Sequence, residues 1–168
     1  LKSNLDNLKK QREDGGEVPE FRVVVSGSVL MDTRILEIIE GSGVAVVSDD
    51  LCIGTRYFSD PVDEKLAEED PIEAIVRRYL FRVPCPSRFF WKDRLEHLLK
   101  QVREYRADGV IFIIQKFCDP HLGDYPLISE KLTEEGIPNL LIEIEYPTLH
   151  EGRIRTEVEA FKERMGAI

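Results

Sequence analysis

The run Ala107-Asp108-Gly109-Val110-Ile111-Phe112-Ile113-Ile114-Gln115-Lys116-Phe117-Cys118-Asp119-Pro120-His121 decides the fold. Its centre, Val110 to Ile114, is the most apolar stretch of the chain. It is continuous rather than alternating, as a strand covered on both faces of a parallel sheet must be. The stretch is predicted to be the central strand. Gln115 to Pro120 ends it with turn chemistry, and a cysteine stands at its mouth.

Working outward, three more strands are expected. Phe21-Arg22-Val23-Val24-Val25-Ser26 is rich in β-branched residues and closes at Gly27-Ser28. Val44 to Ser48 reads as a second strand buried on both faces and stops at Asp49-Asp50. Asn139 to Ile144 is the fourth. Helical periods lie between them. Asp32 is the expected N-cap for a helix from Thr33 to Glu40, with Ile35, Leu36, Ile38 and Ile39 as its buried stripe and Gly41 closing it. Cys52 to Glu69 reads as a long excursion above the sheet.

Asp70-Pro71-Ile72-Glu73 combines an N-cap, a first-turn proline and a capping-box glutamate, and Ile72, Ile75, Val76, Tyr79 and Leu80 follow at helical spacing. After the break Pro84-Cys85-Pro86, a longer helix is expected from about Arg88 to Arg106, with Leu95, Leu98, Leu99, Val102 and Tyr105 on one face. Asp124 and Pro126 are expected to start a helix ending near Gly136. Thr148 with Glu151 offers a capping box for a last helix carrying Ile154, Val158, Phe161 and Met165. The predicted class is therefore α/β: a three-layer, Rossmann-like or flavodoxin-like domain with a four-stranded parallel sheet, right-handed crossovers and helices on both faces.

In such a sheet every carboxyl end points the same way, and ligands gather at that edge. Ser26-Gly27-Ser28, Asp49-Asp50-Leu51-Cys52, Lys116-Phe117-Cys118-Asp119 and Glu143-Glu145-Tyr146 should converge there. Ser26, Gly27 and Ser28 lie between strand and helix, so they form either an anion-holding turn or a plain tight turn. Asp49 and Asp50 could bind a divalent cation or accept a phosphate as in a receiver-like module. Their ordinary role is a solvated or capping pair. Arg56-Tyr57, and Arg77-Arg78 with Tyr79, could meet an anionic ligand such as the phosphates of coenzyme A. For Arg77 and Arg78 a salt bridge to surface carboxylates is the plainer reading. His97, His121 and His150 have no partners at metal spacing and read as surface or capping residues.

Composition sets the limits. The chain has 168 residues, 42% of them apolar, and 23 Lys+Arg against 32 Asp+Glu give a formal charge of −9. That size suits one domain or half of a larger one. The charge repels phosphate backbones, so no nucleic-acid partner is expected. No apolar run is long enough to span a bilayer and Leu1-Lys2-Ser3-Asn4 is not a secretion signal, so a cytoplasmic protein without a membrane partner is expected. Leu1, Leu5 and Leu8 at helical spacing before Gly15-Gly16 suggest that residues 1–19 are the tail of a preceding helix and a linker, with residues 20–168 as the α/β domain.

The cysteines, Cys52, Cys85 and Cys118, form no C-x-x-C and no zinc-finger spacing, which leaves buried thiols, ligands or nucleophiles. At Cys118, nearby N–H groups and Lys116 would favour a thiolate, whereas a buried structural thiol is the equal alternative.

Taken in order, SGS at the first strand end, SDDLCIGTRYF after the second, RYLFRVPCPSR between helices, ADGVIFIIQKFCDPH, GIPNLLIEIEY and GRIRTEVEAF resemble the 2-hydroxyacyl-CoA dehydratase D-component family. That family also holds benzoyl-CoA reductase subunits and double-cubane iron-sulphur proteins. The likeness covers about residues 20 to 165 and corresponds to the C-terminal half of a family subunit. Two positions depart from the usual pattern: Ile53 stands where a Thr is common, and Glu143-Ile144-Glu145-Tyr146 replaces Glu-Thr-Asp-Tyr.

The resemblance implies an iron-sulphur cluster, 4Fe-4S or double-cubane, held in the full-length protein by three cysteines, of which Cys118 would be one and the other two would precede this chain. It implies an acyl-CoA substrate, a partner subunit of the same family and a separate ATP-dependent activator protein that passes on one low-potential electron. The substrate thioester would become a ketyl radical anion that loses its 2-hydroxyl. Ser26, Gly27, Ser28, Asp49, Asp50, Cys52, Arg56, Tyr57 and Lys116 are the expected pocket residues, and Cys85 is expected to shape the connection between helices. This chain alone is expected to hold no stable cluster. The alternatives are a double-cubane reductase of a small molecule and a non-enzymatic receiver-like or partner-binding module using Asp49 and Asp50.

Overall fold

The computed structural model describes residues 20–83, 85–88 and 90–167. The expected leading helix at residues 1–19 lies outside them. Four strands, β1 (Phe21–Gly27), β2 (Val44–Leu51), β3 (Gly109–Gln115) and β4 (Asn139–Ile144), form one parallel sheet in the order β2-β1-β3-β4. Among the described residues there are seven α-helices: α1 (Arg34–Glu40), α2 (Thr55–Phe58), α3 (Glu64–Glu69), α4 (Pro71–Leu80), α5 (Trp91–Glu104), α6 (Asp119–Glu134) and α7 (Glu151–Gly166).

Successive side chains of a strand face opposite ways, and the two cores sort accordingly. Val23, Val25, Ile111 and Ile113 pack with Ile35, Ile38 and Ile39 of α1 and Ile154, Val158, Phe161 and Met165 of α7. Val24, Val110, Phe112 and Ile114 pack with Leu98 and Val102 of α5 and Ile128 and Leu132 of α6. The chain steps outward from β1 to β2 through α1, then crosses back to β3 through α4 and α5 on the other face. Right-handed crossovers in opposite directions must use opposite faces, which is why three layers result.

Four expectations need correction. Strand β2 is an edge strand, half-buried along most of its length, and it runs on through Asp49, Asp50 and Leu51. Helix α6 starts at Asp119 rather than Asp124. Pro120 suits its first turn, and Pro126 is tolerated inside the helix because Ile128 and Leu132 are anchored in the core beyond it. His150, not Thr148, occupies the cap position of α7, and no side-chain capping bond forms there. The amphipathic stripe of α4 faces outward: Asp70 caps the helix as expected, but Ile72 is 74% exposed, Ile75, Val76, Tyr79 and Leu80 are exposed with it, and Ala74 is buried instead.

Strand β2 carries an irregularity with large consequences. Val46 pairs with Val23, but Ser48 pairs with Val24, so Val47 is an extra residue. A one-residue slip exchanges the two faces of everything after it. Asp50, now beside Ser26, therefore points under α5 and α6 rather than toward α1 and α7.

Phe161 is fully buried between α7 and the sheet. Phe161→Ala is expected to destabilise the chain by about 3–5 kcal/mol, measured as a fall in the urea midpoint at unchanged slope. A loss below about 1 kcal/mol would mean that the α7 face collapses around the gap.

Candidate functional site

Strand order 2-1-3-4 places the topological switch between β1 and β3, where the carboxyl ends of adjacent strands send their chains to opposite faces. At the β1 side, Gly27 has φ +147° and its hydrogen lies against the Ile113 carbonyl, where any Cβ would collide. The Ser28 amide donates to that carbonyl (3.0 Å), and the Ser28 hydroxyl accepts from the Gln115 amide (2.9 Å). Gly27 and Ser28 thus form a seam locking β1 to β3.

The two aspartates part company. Asp49 accepts from the amides of Leu51 (3.2 Å) and Thr55 (2.8 Å) and from the Thr55 hydroxyl (2.6 Å), and Gly54 leaves room for its carboxylate. It shapes the loop into α2. Asp50 is 2% exposed and accepts Arg56 Nε on Oδ1 (2.7 Å), with Arg56 Nη2 (2.7 Å) and the Ser26 hydroxyl (2.9 Å) on Oδ2. Arg56 Nη2 also reaches the Asp50 carbonyl. Against burial, which lowers it, the charge and hydrogen bonds of Asp50 hold the Arg56 pKa above its ordinary value. The oxygens of Asp49 and Asp50 are thus occupied in separate places, Asp49 in the capping role and Asp50 in a buried ion pair.

Around this ion pair lies a set of residues that the sequence did not bring together. His97 Nε2 of α5 stands 3.7 Å from Asp50 Oδ1. Arg94 of α5 pairs with Asp124 of α6, both buried. His121, in the first turn of α6, is 8% exposed rather than on the surface. Burial first, then the Arg56 and Arg94 charges, hold its pKa down to about 4 against the opposing pull of Asp50. Its Nε2 lies 3.6 Å from Cys52 Sγ, which is also 3.7 Å from the Gly27 carbonyl and 3.8 Å from Arg56 Nη1. Burial pushes the Cys52 thiol up, Arg56 pulls it down, and Cys85 and Cys118 lie near enough to push it up again. The resting pair is therefore a protonated thiol against a neutral imidazole. The space among Ser26, Asp50, Arg56, Arg94 and His121 is only about 10 Å³, room for at most one water.

Cys118 is half-buried at the carboxyl end of β3, in the cap position of α6, with its amide donating to the Gln115 carbonyl (3.0 Å). Phe117 before it is left-handed (φ +65°) and 86% exposed, a strained turn of order 1 kcal/mol that folds the chain back so sharply that Cys118 follows directly on the strand end. Lys116 points elsewhere: it pairs with Glu145 beyond β4 (2.6 Å), and this contact holds the Glu145 carboxyl below its usual range. Tyr57 is exposed, its carbonyl receiving Arg78 and Arg82. Cys85 is exposed, its thiol 3.6 Å from the Ser87 hydroxyl. Of the predicted pocket set, Ser26, Gly27, Asp50, Cys52 and Arg56 come together, whereas Ser28, Asp49, Tyr57 and Lys116 serve neighbouring structure. The sequence signal for His121 and Asp124 is slight: two polar residues three apart on one face, just where the pattern places the helix start too late.

Two outcomes check this network. His121 has a folded pKa of about 4 against an ordinary 6.5, so the unfolded chain takes up the proton first. The stabilisation is complete above about pH 6.5 and falls by about 3 kcal/mol as the pH drops toward 4. Urea midpoints across that range should fall less steeply for His121→Asn than for the native chain. Arg56→Met, which strands a buried carboxylate, is expected to cost about 3–5 kcal/mol in thermal or urea melts.

The family described as 2-hydroxyglutaryl-CoA dehydratase, D-component, matches residues 1–165. The (R)-phenyllactyl-CoA dehydratase beta subunit of Clostridium sporogenes is 30% identical over 145 residues, 86% of this chain and 38% of that protein. The (R)-2-hydroxyglutaryl-CoA dehydratase subunit beta of Acidaminococcus fermentans is 27% identical over 167 residues, 96% of this chain and 44% of that protein. A benzoyl-CoA reductase subunit of Thauera aromatica is 30% identical over 122 residues, 70% of this chain and 31% of that protein. The chain spans less than half the length of each of these relatives.

Proposed function

Because the chain belongs to the 2-hydroxyglutaryl-CoA dehydratase D-component family, we propose that it is the C-terminal α/β domain of an iron-sulphur subunit. The whole enzyme would carry out ATP-activated radical dehydration, or reduction, of acyl-CoA substrates. The relatives' names support both branches, since two are acyl-CoA dehydratase subunits and one is an acyl-CoA reductase subunit. The single observation that carries the reading is the place of Cys118, a thiol delivered by the most buried strand to the switch-point edge.

The donor set fits as one part of a larger site. Cys118 is a soft ligand at a half-covered edge, as an iron-sulphur cluster requires. Among the described residues no group of three His, Cys, Asp or Glu can hold a metal ion. By the family likeness Cys118 would be the one ligand in this chain, and the other two would precede it. When bound, the cluster supplies one-electron chemistry at low potential.

This chain's own residues prepare the floor beside it. The apolar faces of β1 and β3 exclude water from beneath. Asp50 neutralises Arg56, His121 stays uncharged and Cys52 keeps its proton, so the region next to Cys118 presents balanced charge and a thiol able to donate a hydrogen bond. A second protein of the same family completes the enzyme, and an ATP-dependent activator delivers the electron. The outward apolar stripe of α4 supports the reading of a domain that meets further protein. A double-cubane reductase of a small molecule differs in iron count, so iron stoichiometry separates it.

The full-length subunit, purified without oxygen together with its partner, should contain iron and acid-labile sulphide. Cys118→Ala should lose most of the iron bound by this subunit while Cys52→Ala keeps it. A colourless, iron-free native preparation, or a Cys118→Ala variant with undiminished iron, would sink the reading.

A further inference from the structure

We propose that the cleft between α4 and α5 is a binding site for a phosphate group carried on a small molecule. The cleft, about 560 Å³, is lined by Arg77, Arg78, Arg82, Lys100 and His97, with the buried Ala74 and the carboxylates Asp60 and Asp63 also on its wall. In a chain of net charge −9, four permanent cations face two carboxylates here, and those carboxylates are otherwise engaged. Asp63 caps α3 by accepting from the Leu66 amide (3.0 Å), and Asp60 accepts from the Ser59 hydroxyl (3.3 Å). Arg77 is answered by Glu73 (2.7 Å). Among the described residues, Arg78, Arg82 and Lys100 have no carboxylate within ion-pair distance.

Among the described residues the surface salt bridge expected for Arg78 is absent, and the arrangement is built rather than incidental. Arg78 Nη2 (2.7 Å) and Arg82 Nη1 (3.3 Å) donate to the same carbonyl, that of Tyr57, so two like charges share one neutral acceptor. Their guanidinium groups stack on aromatic rings, Arg78 on Tyr79 (4.8 Å) and Arg82 on Tyr79 (5.4 Å) and Tyr57 (5.9 Å). Arg78 Nη1 is buried in the wall without a hydrogen-bond partner among the described residues, while His97 turns its Nε2 inward to Asp50. Two stacked, forked guanidinium groups and one ammonium match the several terminal oxygens of a phosphate better than the two of a carboxylate. Stacking also fixes the forks in advance, so little ordering remains when the anion arrives.

The ligand's carrier is either a free small phosphate or the phosphate-bearing end of coenzyme A, which the relatives' names make available. The site does not depend on the cluster reading, because binding is measured on the iron-free chain. Isothermal titration of the 168-residue chain with inorganic pyrophosphate and, separately, with coenzyme A, at constant ionic strength of about 0.15 M, tests it.

Binding of at least one with a Kd below about 1 mM is expected, weakened at least about tenfold in Arg82→Gln and in Lys100→Gln. Lys100 is an exposed residue of α5, so its replacement leaves the fold intact. Pyrophosphate binding without coenzyme A assigns a free phosphate, and coenzyme A binding without pyrophosphate assigns the nucleotide carrier. Either supports the site when the variants weaken it. No binding of either up to about 10 mM, or binding that both variants leave unchanged, overturns it.

Discussion

The interior depends on one buried ion pair. Asp50 and Arg56, 2% and 6% exposed, are joined through two parallel hydrogen bonds, and neither charge could remain in place alone. The pair exists because β2 contains one extra residue. Without that slip, Asp50 would face the apolar α1 and α7 core. With it, Asp50 faces Ser26, His97 and Arg56, and the short helix α2 is drawn back over the sheet edge to bring Arg56 in. The bulge, the helix and the ion pair are one solution to a single problem.

From that pair the rest of the edge takes its order. Arg56 reaches Cys52, Cys52 meets His121, and His121 shares α6 with Asp124, which answers Arg94 on α5. Two helices that a sheet would otherwise hold only by apolar packing are tied together through charge beneath the switch point. Such networks add specificity of arrangement more surely than stability. Here they set Asp50 against Arg56 and Asp124 against Arg94, so each buried charge is answered.

The cationic cleft behind α4 is the counterpoint. There the charges are left unbalanced at the surface, held by stacking and by one shared carbonyl, while the adjoining stripe of α4 lies open. A helix with a correct cap and a clear apolar period normally buries that period in its own domain. Here the period is left open at the surface of the described residues.

The fold class and the four strands were legible from residue pattern because burying both faces of a parallel sheet forces continuous apolar runs, as at Val110 to Ile114. The α7 core positions followed from helical spacing, and the motif string pointed to the family. The sequence could not show that Val47 is an extra residue, since a bulge changes the phase of a strand without changing its composition. It therefore could not show that Asp49 and Asp50 have separate duties, or that His121 is buried and neutral. Those assignments depend on which side chains from distant segments share a low-dielectric space, and only the folded chain sets that.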